Sequence, residues 1–344
     1  MTVPTVDETA PTNDPPAAAG RSRLRAALLV AVGLALLGTL LYSTGLAPIL
    51  EHMRILGGRA PLVIVPYLLV ALIDTFGWRC TLPRGARVAV PFAALYLTRM
   101  AGEAINSVTP TATVGGEPVK AYLLRSWGVA GVDGVVSVLL ARTALVVSQS
   151  MFVAFGVAAL FIHLEHAWWG LVWLAAMLVL VLGFGTALVA LQLRNPTITV
   201  WRLLRRIFRR SHLLERLQHH ATSIDRGLEH FYRFERRAFV QATALYLFGW
   251  LFGVWEVHLM MWLIDAPVTW LDAFIIESLA QPIRAVAIVI PGGVGAQEWG
   301  GAWLCMSLGV PEPAAVTLWL LKRARETVFD VVGLTYMTTR SRRA

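Results

Sequence analysis

Two glutamates and two arginines have a suggestive spacing, because each lies in or beside an apolar stretch of the chain. Glu117 follows two glycines and precedes Pro118, and Arg142 lies in the apolar segment that comes next. Glu298 and Arg323 repeat this arrangement later in the sequence. Inside a membrane an isolated charge costs between about 3 and more than 10 kcal/mol, so each needs a partner. The spacing predicts two Glu–Arg pairs, which either hold parts of the protein together or handle a polar head group or a proton.

An internal repeat relates the two pairs. Residues 104–147 align without a gap with residues 285–328, and 14 of the 44 aligned positions are identical. A chance match in a chain rich in Leu, Val and Ala is the alternative, but apolar composition does not readily match Pro, Glu, Gly and Arg together. Repeats that carry buried charge are typical of membrane transporters. The matched polar and turn residues are Pro110/Pro291, Glu117/Glu298, Ser126/Ser307, Gly128/Gly309 and Arg142/Arg323.

Each repeat contains a turn rich in Pro and Gly between two helical limbs. The turns read TPTATVGGEPVK at 109–120 and PGGVGAQEWG at 291–300. Pro110 and Pro291 are expected to end the incoming helices, over 88–109 and 271–290, and Pro118 suits the first turn of the next helix. As one helix, 88–108 would measure about 31 Å, whereas the return limb 116–126 reaches only about 17 Å and cannot span a membrane.

The short return helices would begin inside the membrane, where their free N–H groups favour an anionic head group. The alternative is that the turns are only loop tips. Irregular backbone at that depth is tolerated where it is buried in protein or lines a cavity, which favours a binding site. The residues expected at this site are Gly115, Gly116, Glu117, Lys120, Arg142, Gly292, Gly293, Gly295, Gln297, Glu298 and Arg323.

Other charged residues lie on the same predicted helices. Lys322, Glu326 and Asp330 follow one another at i, i+4 spacing and form one polar stripe on the last helix. Arg99, Glu103 and Arg284 lie on the incoming limbs, where pairing across the repeat is one possibility. Asp74, Glu256 and His258 are equally compatible with positions at the membrane interface.

Composition indicates an all-α polytopic membrane protein. Apolar residues make up 57% of the chain, charged residues 15%, and the mean hydropathy is +0.63, whereas soluble domains carry about 25% charged residues. Residues 1–20, rich in Pro, Ala and Thr, are expected to form a disordered tail. Cys80 and Cys305 support neither a disulfide nor a thiolate metal site, and no metal or cofactor is expected. Six full spans are predicted, at 26–47, 60–78, 132–162, 167–193, 239–264 and 312–337.

Basic segments set the expected orientation, because loops rich in Arg and Lys stay in the cytoplasm. There are four basic segments: RSRLR near the N-terminus, residues 78–87, residues 194–237, and RSRR near the C-terminus. Both termini are therefore expected in the cytoplasm. Segment 194–237 holds eleven Arg against four acids, which predicts an amphipathic helix on an anionic leaflet. Positive-inside topology already explains the net charge of +9, so nucleic acid is not an expected partner.

Counting crossings from these basic segments places the two hairpins on opposite sides of the bilayer. The first hairpin must begin and end inside, and the second must begin and end outside. This predicts an inverted-topology repeat of re-entrant hairpins, with one half at 21–193, an inserted basic segment at 194–237 and a second half at 238–340.

The motifs GGEPVK and PGGVGAQE, each followed by an Arg in the next helix, resemble the flippase-like transmembrane region of the lysylphosphatidylglycerol synthase family. The stretch AFIIESLAQPIRAVAIVIPGGVGAQEWG, with LKRARE, is most similar to the hopanoid-associated, HpnL-type branch. The resemblance covers roughly residues 25–340 and implies a bacterial inner-membrane protein that moves polar or polycyclic lipids between leaflets. The matching positions are Gly115, Gly116, Glu117, Pro291, Gly292, Gly293, Gly295 and Glu298.

Two departures and one absence qualify the resemblance. Lys120 stands where many relatives are expected to carry Arg, and Gln297 precedes the second Glu. The aminoacyl-transferase half of the full synthases does not follow residue 340, so lipid aminoacylation is not expected from this chain alone. The preferred hypothesis is a lipid translocase that takes membrane lipids, either anionic phospholipids or hopanoids. The alternatives are a lipid-modifying membrane enzyme, an accessory subunit of a lipid glycosyltransferase, or a non-transporting scaffold.

Overall fold

All the regular secondary structure in the computed structural model is helical over the residues that it describes, which are 17–109, 115–164, 212–287 and 290–341, with scattered positions between 172 and 192. Short 3-10 segments cover Gly57–Val63 and Pro291–Gly293. The α-helices in these ranges are α1 (Ala17–Thr44), α2 (Leu46–Leu56), α3 (Ile64–Thr81), α4 (Arg84–Ala89), α5 (Phe92–Val108), α6 (Gly116–Arg125), α7 (Gly131–His163), α8 (His212–Phe234), α9 (Arg236–Leu263), α10 (Trp270–Ala287), α11 (Ala296–Ser307) and α12 (Glu312–Ser341).

Among the described residues, three helical stretches are long and apolar enough to cross a membrane. They are Leu46–Thr81, Gly131–Phe161 and Arg236–Leu263, and Val30–Thr44 forms a shorter apolar helix. The expected span at 312–337 lies within the continuous helix α12. Residues 1–16 of the expected tail at 1–20 and most of the expected span at 167–193 lie outside the described residues, and helix α1 begins at Ala17, within the expected tail. The fold is therefore that of an α-helical membrane protein, and the number of six spans stays a prediction.

The aligned repeats are 181 residues apart in sequence, and the same separation relates matching turns and helix starts in the structure. Helices α7 and α12 begin at Gly131 and Glu312, which are 181 positions apart. The turns before them end on Gly128 and Gly309, whose φ values of 79° and 84° are left-handed. In both turns the next N–H bonds a carbonyl five residues back, at 3.3 Å in the first and 3.1 Å in the second. The repeated sequence thus forms the same helix end and the same helix start in both places.

The packing interleaves the two halves. We call α5 and α6 the first hairpin, and α10 and α11 the second. Helix α5 packs along α12, and α10 packs along α7, so the incoming limb of each hairpin lies against the long helix of the other half. Helices α3 and α9 pack together alongside. The turn of the second hairpin reaches the end of α5, where a Cβ on Gly292 would lie 3.2 Å from the carbonyl oxygen of Ser107.

The incoming limb of the first hairpin is shorter than expected. The prediction of one helix over 88–108 is wrong at its start, because α4 ends at Ala89 and α5 begins at Phe92. Pro91 separates them, and Val90 before it is extended, with φ −95° and ψ 114°. Proline disfavours helical backbone in the residue that precedes it. Helix α5 is consequently about 26 Å long at 1.5 Å per residue.

The described part of the basic segment is the amphipathic helix α8. Its apolar side packs on α7, where Leu228 and Phe231 meet Val136 and Leu140. This side of α8 is therefore covered by protein, and burial raises the pKa of Tyr232 beside it to about 12. The arginine-rich stretch 201–210 lies outside the described residues, so contact with an anionic leaflet stays a prediction.

Candidate functional site

A cavity of about 250 Å³ lies between the two halves, and both halves contribute polar groups to its wall. We call it the central cavity. The first half supplies residues from α3 and α5, and the second supplies residues from α10, α12 and the turn of the second hairpin. The polar lining includes Tyr67, Glu103, Asn106, Ser107, Arg284, Gln297, Arg323, Glu326 and Asp330.

The expected pair in the second half is present and fixes the turn. The Nε of Arg323 lies 2.6 Å from Oε1 of Glu298, and Oε2 of the same carboxylate accepts the N–H of Gly295 at 2.7 Å. Arg323 also donates to the carbonyl oxygen of Gly292 at 2.9 Å. Glu298 is only 2% exposed. One ion pair therefore ties α12 to both ends of a four-residue turn.

The glycines of this turn are needed for conformation and for space. Gly292, Gly293 and Gly295 have φ values of 66°, 62° and 78°, which residues other than glycine rarely adopt. A Cβ on Gly295 would lie 1.8 Å from the carbonyl oxygen of Gly33 in α1. Gln297 folds back over Gly293, where its Nε2 would lie 2.1 Å from an added Cβ. The expected turn glycines of the second hairpin are thus explained, and Pro291 opens the 3-10 segment.

A smaller cavity of about 30 Å³, which we call the side cavity, lies between the first hairpin and helices α3, α7 and α9. Lys120 pairs with Glu103 at 2.7 Å and with Glu117 at 3.3 Å. Arg142, the expected partner of Glu117, lines the same cavity. Lys120 is thus an ion-pair partner of Glu117, and its counterpart 181 positions later is Gly301. The second half therefore has no lysine that could form the matching pair with Glu298.

Close contact between the limbs of the first hairpin depends on Gly116. A Cβ there would lie 1.9 Å from the carbonyl oxygen of Gly102 in α5. The N–H of Gly116 donates to Oδ1 of Asn106 at 2.7 Å, and Gly115 caps α6 with an ordinary helical φ of −63°. Pro118 lies in the first turn of α6 as expected, whereas Pro110 lies outside the described residues.

Two amides at the expected anion site are already bonded within the protein. The Gly116 amide bonds the Asn106 side chain, and the Gly295 amide bonds the Glu298 carboxylate. A carboxylate at the start of a helix is already favoured by the helix dipole. The protein itself therefore supplies the groups that a lipid phosphate was expected to supply at these two amides.

Comparison with known proteins places this arrangement in a family. The model of the lysylphosphatidylglycerol synthase transmembrane region matches residues 26–333. The chain belongs to this family. A UPF0104 membrane protein of Methanothermobacter thermautotrophicus is 26% identical over 288 residues, which cover 80% of this chain and 83% of that protein. A UPF0104 membrane protein of Pyrococcus horikoshii is 26% identical over 325 residues, covering 86% and 91%. No solved structure matches.

This member of the lysylphosphatidylglycerol synthase family also contains a buried charge network that sequence reasoning missed. Lys322, 1% exposed, lies 2.5 Å from Glu277 and 3.4 Å from Glu256. Arg325 pairs with Glu256 at 2.9 Å. Glu277 and Arg325 were not recognised as site residues, although a Glu in the apolar run AFIIESLA is a usable signal.

The structure gives the surroundings of the remaining charges. Asp74 and Glu256 are buried, and Asp74 forms a short ion pair with Arg99. Glu103 pairs within its own half, with Lys120, although it shares the wall of the central cavity with Arg284. His258 stacks on Trp270, with ring centroids 4.0 Å apart.

The stripe on α12 turns towards three different sets of partners. Lys322 faces the buried carboxylates, Glu326 pairs with Arg323 at 3.3 Å, and Asp330 accepts a hydrogen bond from the hydroxyl of Ser107 at 3.2 Å. Arg284 lies 3.9 Å from Glu326 across the cavity wall. In the described ranges, no group of three or more His, Cys, Asp or Glu side chains is arranged to hold a metal ion.

Proposed function

We propose that this protein is a lipid translocase, which passes a polar head group through the central cavity while the lipid tails stay in the bilayer. The observation that carries the proposal is the central cavity itself, about 250 Å³ in volume and lined by charged groups from both halves. A membrane interior holds such groups only where they pair or meet water. Membership in a family named for a phospholipid synthase supports a lipid as the guest.

An inverted arrangement of the two hairpins would give this cavity access to both leaflets in turn. Two observations support this arrangement. The turns and helix starts are repeated, and α5 and α10 each pack against the long helix of the other half. Transporters with inverted repeats place their substrate site where the repeats meet. The proposed orientation has both termini in the cytoplasm, in a bacterial inner membrane, as the basic segments imply.

The lining also bears on the head group. Arg284 and Arg323 offer guanidinium donors, while Glu326 and Asp330 offer acceptors. A polar head group that both accepts and donates hydrogen bonds fits this mixture. The motif resemblance to the hopanoid-associated branch supports a hopanoid-type lipid as a second candidate guest.

A lipid-modifying enzyme or an accessory subunit is the alternative, and the word synthase in the family description keeps it open. The two functions differ in covalent change. Transport moves a lipid without altering its mass, whereas an enzyme alters it. Both quantities can be measured on the same vesicles.

The test reconstitutes the purified protein into liposomes that contain labelled anionic, zwitterionic or hopanoid lipids. A membrane-impermeant quencher then reports the label that remains in the inner leaflet, and mass spectrometry reports each lipid. The proposal predicts faster exchange than in protein-free liposomes for at least one lipid, with its mass unchanged. Chemical conversion of the lipid, or exchange no faster than without protein for every lipid class, contradicts it.

A further inference from the structure

The charged residues of the interior do not balance. We consider those that line the two cavities or are connected to them by ion pairs, within the ranges that the structure describes. Seven carboxylates each have a Lys or Arg nitrogen within 3.9 Å. They are Asp74, Glu103, Glu117, Glu256, Glu277, Glu298 and Glu326.

Seven cations belong to the same set of residues. Six Lys and Arg side chains supply the partners just described, and Arg142 in the side cavity brings the cations to seven. Seven cations and seven carboxylates are neutral together. Asp330 is the eighth carboxylate of the set, and it accepts a hydrogen bond from a neutral hydroxyl, that of Ser107.

On the described elements around Asp330, the Lys and Arg side chains that face the cavity already pair with other carboxylates. On its own helix α12, Arg323 pairs with Glu298 and Glu326. Helix α5 presents Ser107 and the carboxylate of Glu103, which Lys120 already holds. Helix α3 presents Tyr67, and α10 presents Arg284, which pairs with Glu277 and Glu326. The turn of the second hairpin and Gln297 add only neutral groups.

A second polar group in the same wall also lacks a protein partner. Asn106 is 8% exposed and lines the central cavity. Its Oδ1 accepts the Gly116 amide, but its Nδ2 has no hydrogen bond within the described part of the chain. A buried donor without a partner costs about 1–3 kcal/mol. This donor, next to Ser107 in sequence, indicates that an oxygen atom of water or of a head group occupies the cavity.

An uncompensated carboxylate in a membrane interior is costly, and one proton removes the charge. We propose that Asp330 binds and releases a proton, and that this proton is coupled to the lipid movement proposed above. The step is a simple exchange, in which the O–H bond of the acid breaks and the proton passes to water in the cavity. Protonation also turns the carboxyl group into a donor, while ionisation restores it as the acceptor for Ser107.

The position of Asp330 explains how binding a proton there would affect the contact between the two halves. Asp330 lies on α12 of the second half and Ser107 on α5 of the first, so their hydrogen bond crosses the interface between halves. Glu103 of the first half and Glu326 of the second line the same cavity. Protonation of Asp330 therefore changes a hydrogen bond at the same interface along which the halves would move.

Infrared difference spectroscopy of the reconstituted protein tests the proton site without requiring transport. The protein should show the C=O band of a protonated carboxylic acid at neutral pH, and this band should disappear as the pH is raised. Asp330→Asn should lack the band, and the exposed Glu51→Gln should keep it. Ser107→Ala, which removes the donor to the ionised form, should hold the band to higher pH. A band that is absent from the unmodified protein, or unchanged in Asp330→Asn, overturns the proposal.

Lipid exchange separates this proposal from the proposed function, on which its coupling step rests. The unmodified protein should change its exchange rate with pH by up to about tenfold per pH unit, the limit for one proton, while Asp330→Asn should show no pH dependence. Exchange that follows sodium concentration instead of pH overturns the proton in favour of a metal cation. If the band titrates but no lipid moves, the proton site stands and the translocase proposal fails.

Discussion

The carboxylate of Glu298 and the guanidinium of Arg323 are joined at 2.6 Å, across the turn of the second hairpin. The second oxygen of Glu298 accepts the Gly295 amide, and Arg323 reaches the Gly292 carbonyl. A charged hydrogen bond in such a setting contributes about 1.5–3 kcal/mol. The shape of one wall of the central cavity therefore depends on this pair.

Replacing the Glu298 carboxylate should loosen that wall. Glu298→Gln keeps an acceptor for the Gly295 amide but loses the ion pair, so we expect a loss of about 2 kcal/mol in the free energy of unfolding. Thermal unfolding in detergent measures it. Glu51→Gln is the matched control, because Glu51 and Arg54 form an exposed pair that contributes less than about 1 kcal/mol. Equal unfolding temperatures for the two variants would argue against the role assigned to Glu298.

The limbs of the first hairpin should separate if Gly116 gains a side chain. The added methyl of Gly116→Ala would meet the Gly102 carbonyl at 1.9 Å, so the limbs must move apart, at a cost of about 1–3 kcal/mol. Gly38→Ala adds the same methyl where nothing lies within 4 Å. That control should be neutral or slightly stabilising in the same unfolding measurement. A Gly116→Ala protein as stable as Gly38→Ala would show that the limbs do not touch there.

The buried lysine should be intolerant of single replacement and tolerant of a paired one. Lys322→Met leaves Glu277 without its shortest partner, and breaking a buried ion pair costs about 3–5 kcal/mol. Adding Glu277→Gln removes the stranded charge, while Glu256 keeps Arg325. The yield of monodisperse protein after size exclusion should fall for the single variant and recover in the double one. A double variant as poor as the single one would show that charge pairing is not the cause.

Opposite insertion of the hairpins can be tested with single cysteines. Both Ala130, after the first hairpin, and Pro267, before the second, are exposed. In a Cys80→Ser background, Ala130→Cys should react with an impermeant maleimide only from the cytoplasmic side, and Pro267→Cys only from the outside. Labelling of both from the same side would remove the inversion.

Much of the hairpin architecture follows from turn chemistry that is readable in the sequence. Pro118 and the glycines at 292, 293 and 295 occupy the positions that their backbone preferences predict. The Glu298 and Arg323 pair follows from the cost of a lone charge in apolar surroundings. The predicted start of the incoming limb is wrong because Pro91 breaks the helix, although the apolar run in the sequence continues through this position.

Partner choice among several charges could not be derived from spacing. Lys120 reaches Glu103 and Glu117 only because Gly102 leaves room for its stem, where a Cβ would lie 2.4 Å from the lysine Cε. The pairing of Lys322 with Glu277 depends on how α10 and α12 pack, which a helical period does not specify. Long-range packing, rather than local propensity, decides these contacts.

The most direct test of the translocase account is leaflet exchange by liposomes that contain the Arg284→Gln variant. Arg284 lines the central cavity, and its ion pairs are long, at 3.9 Å. For a lipid that the unmodified protein moves, the account predicts an exchange rate about tenfold lower, which corresponds to losing one charged hydrogen bond of about 1.5 kcal/mol. The exposed Arg54→Gln should leave the rate unchanged. Equal exchange by Arg284→Gln and the unmodified protein, at equal amounts of folded protein, would contradict the account.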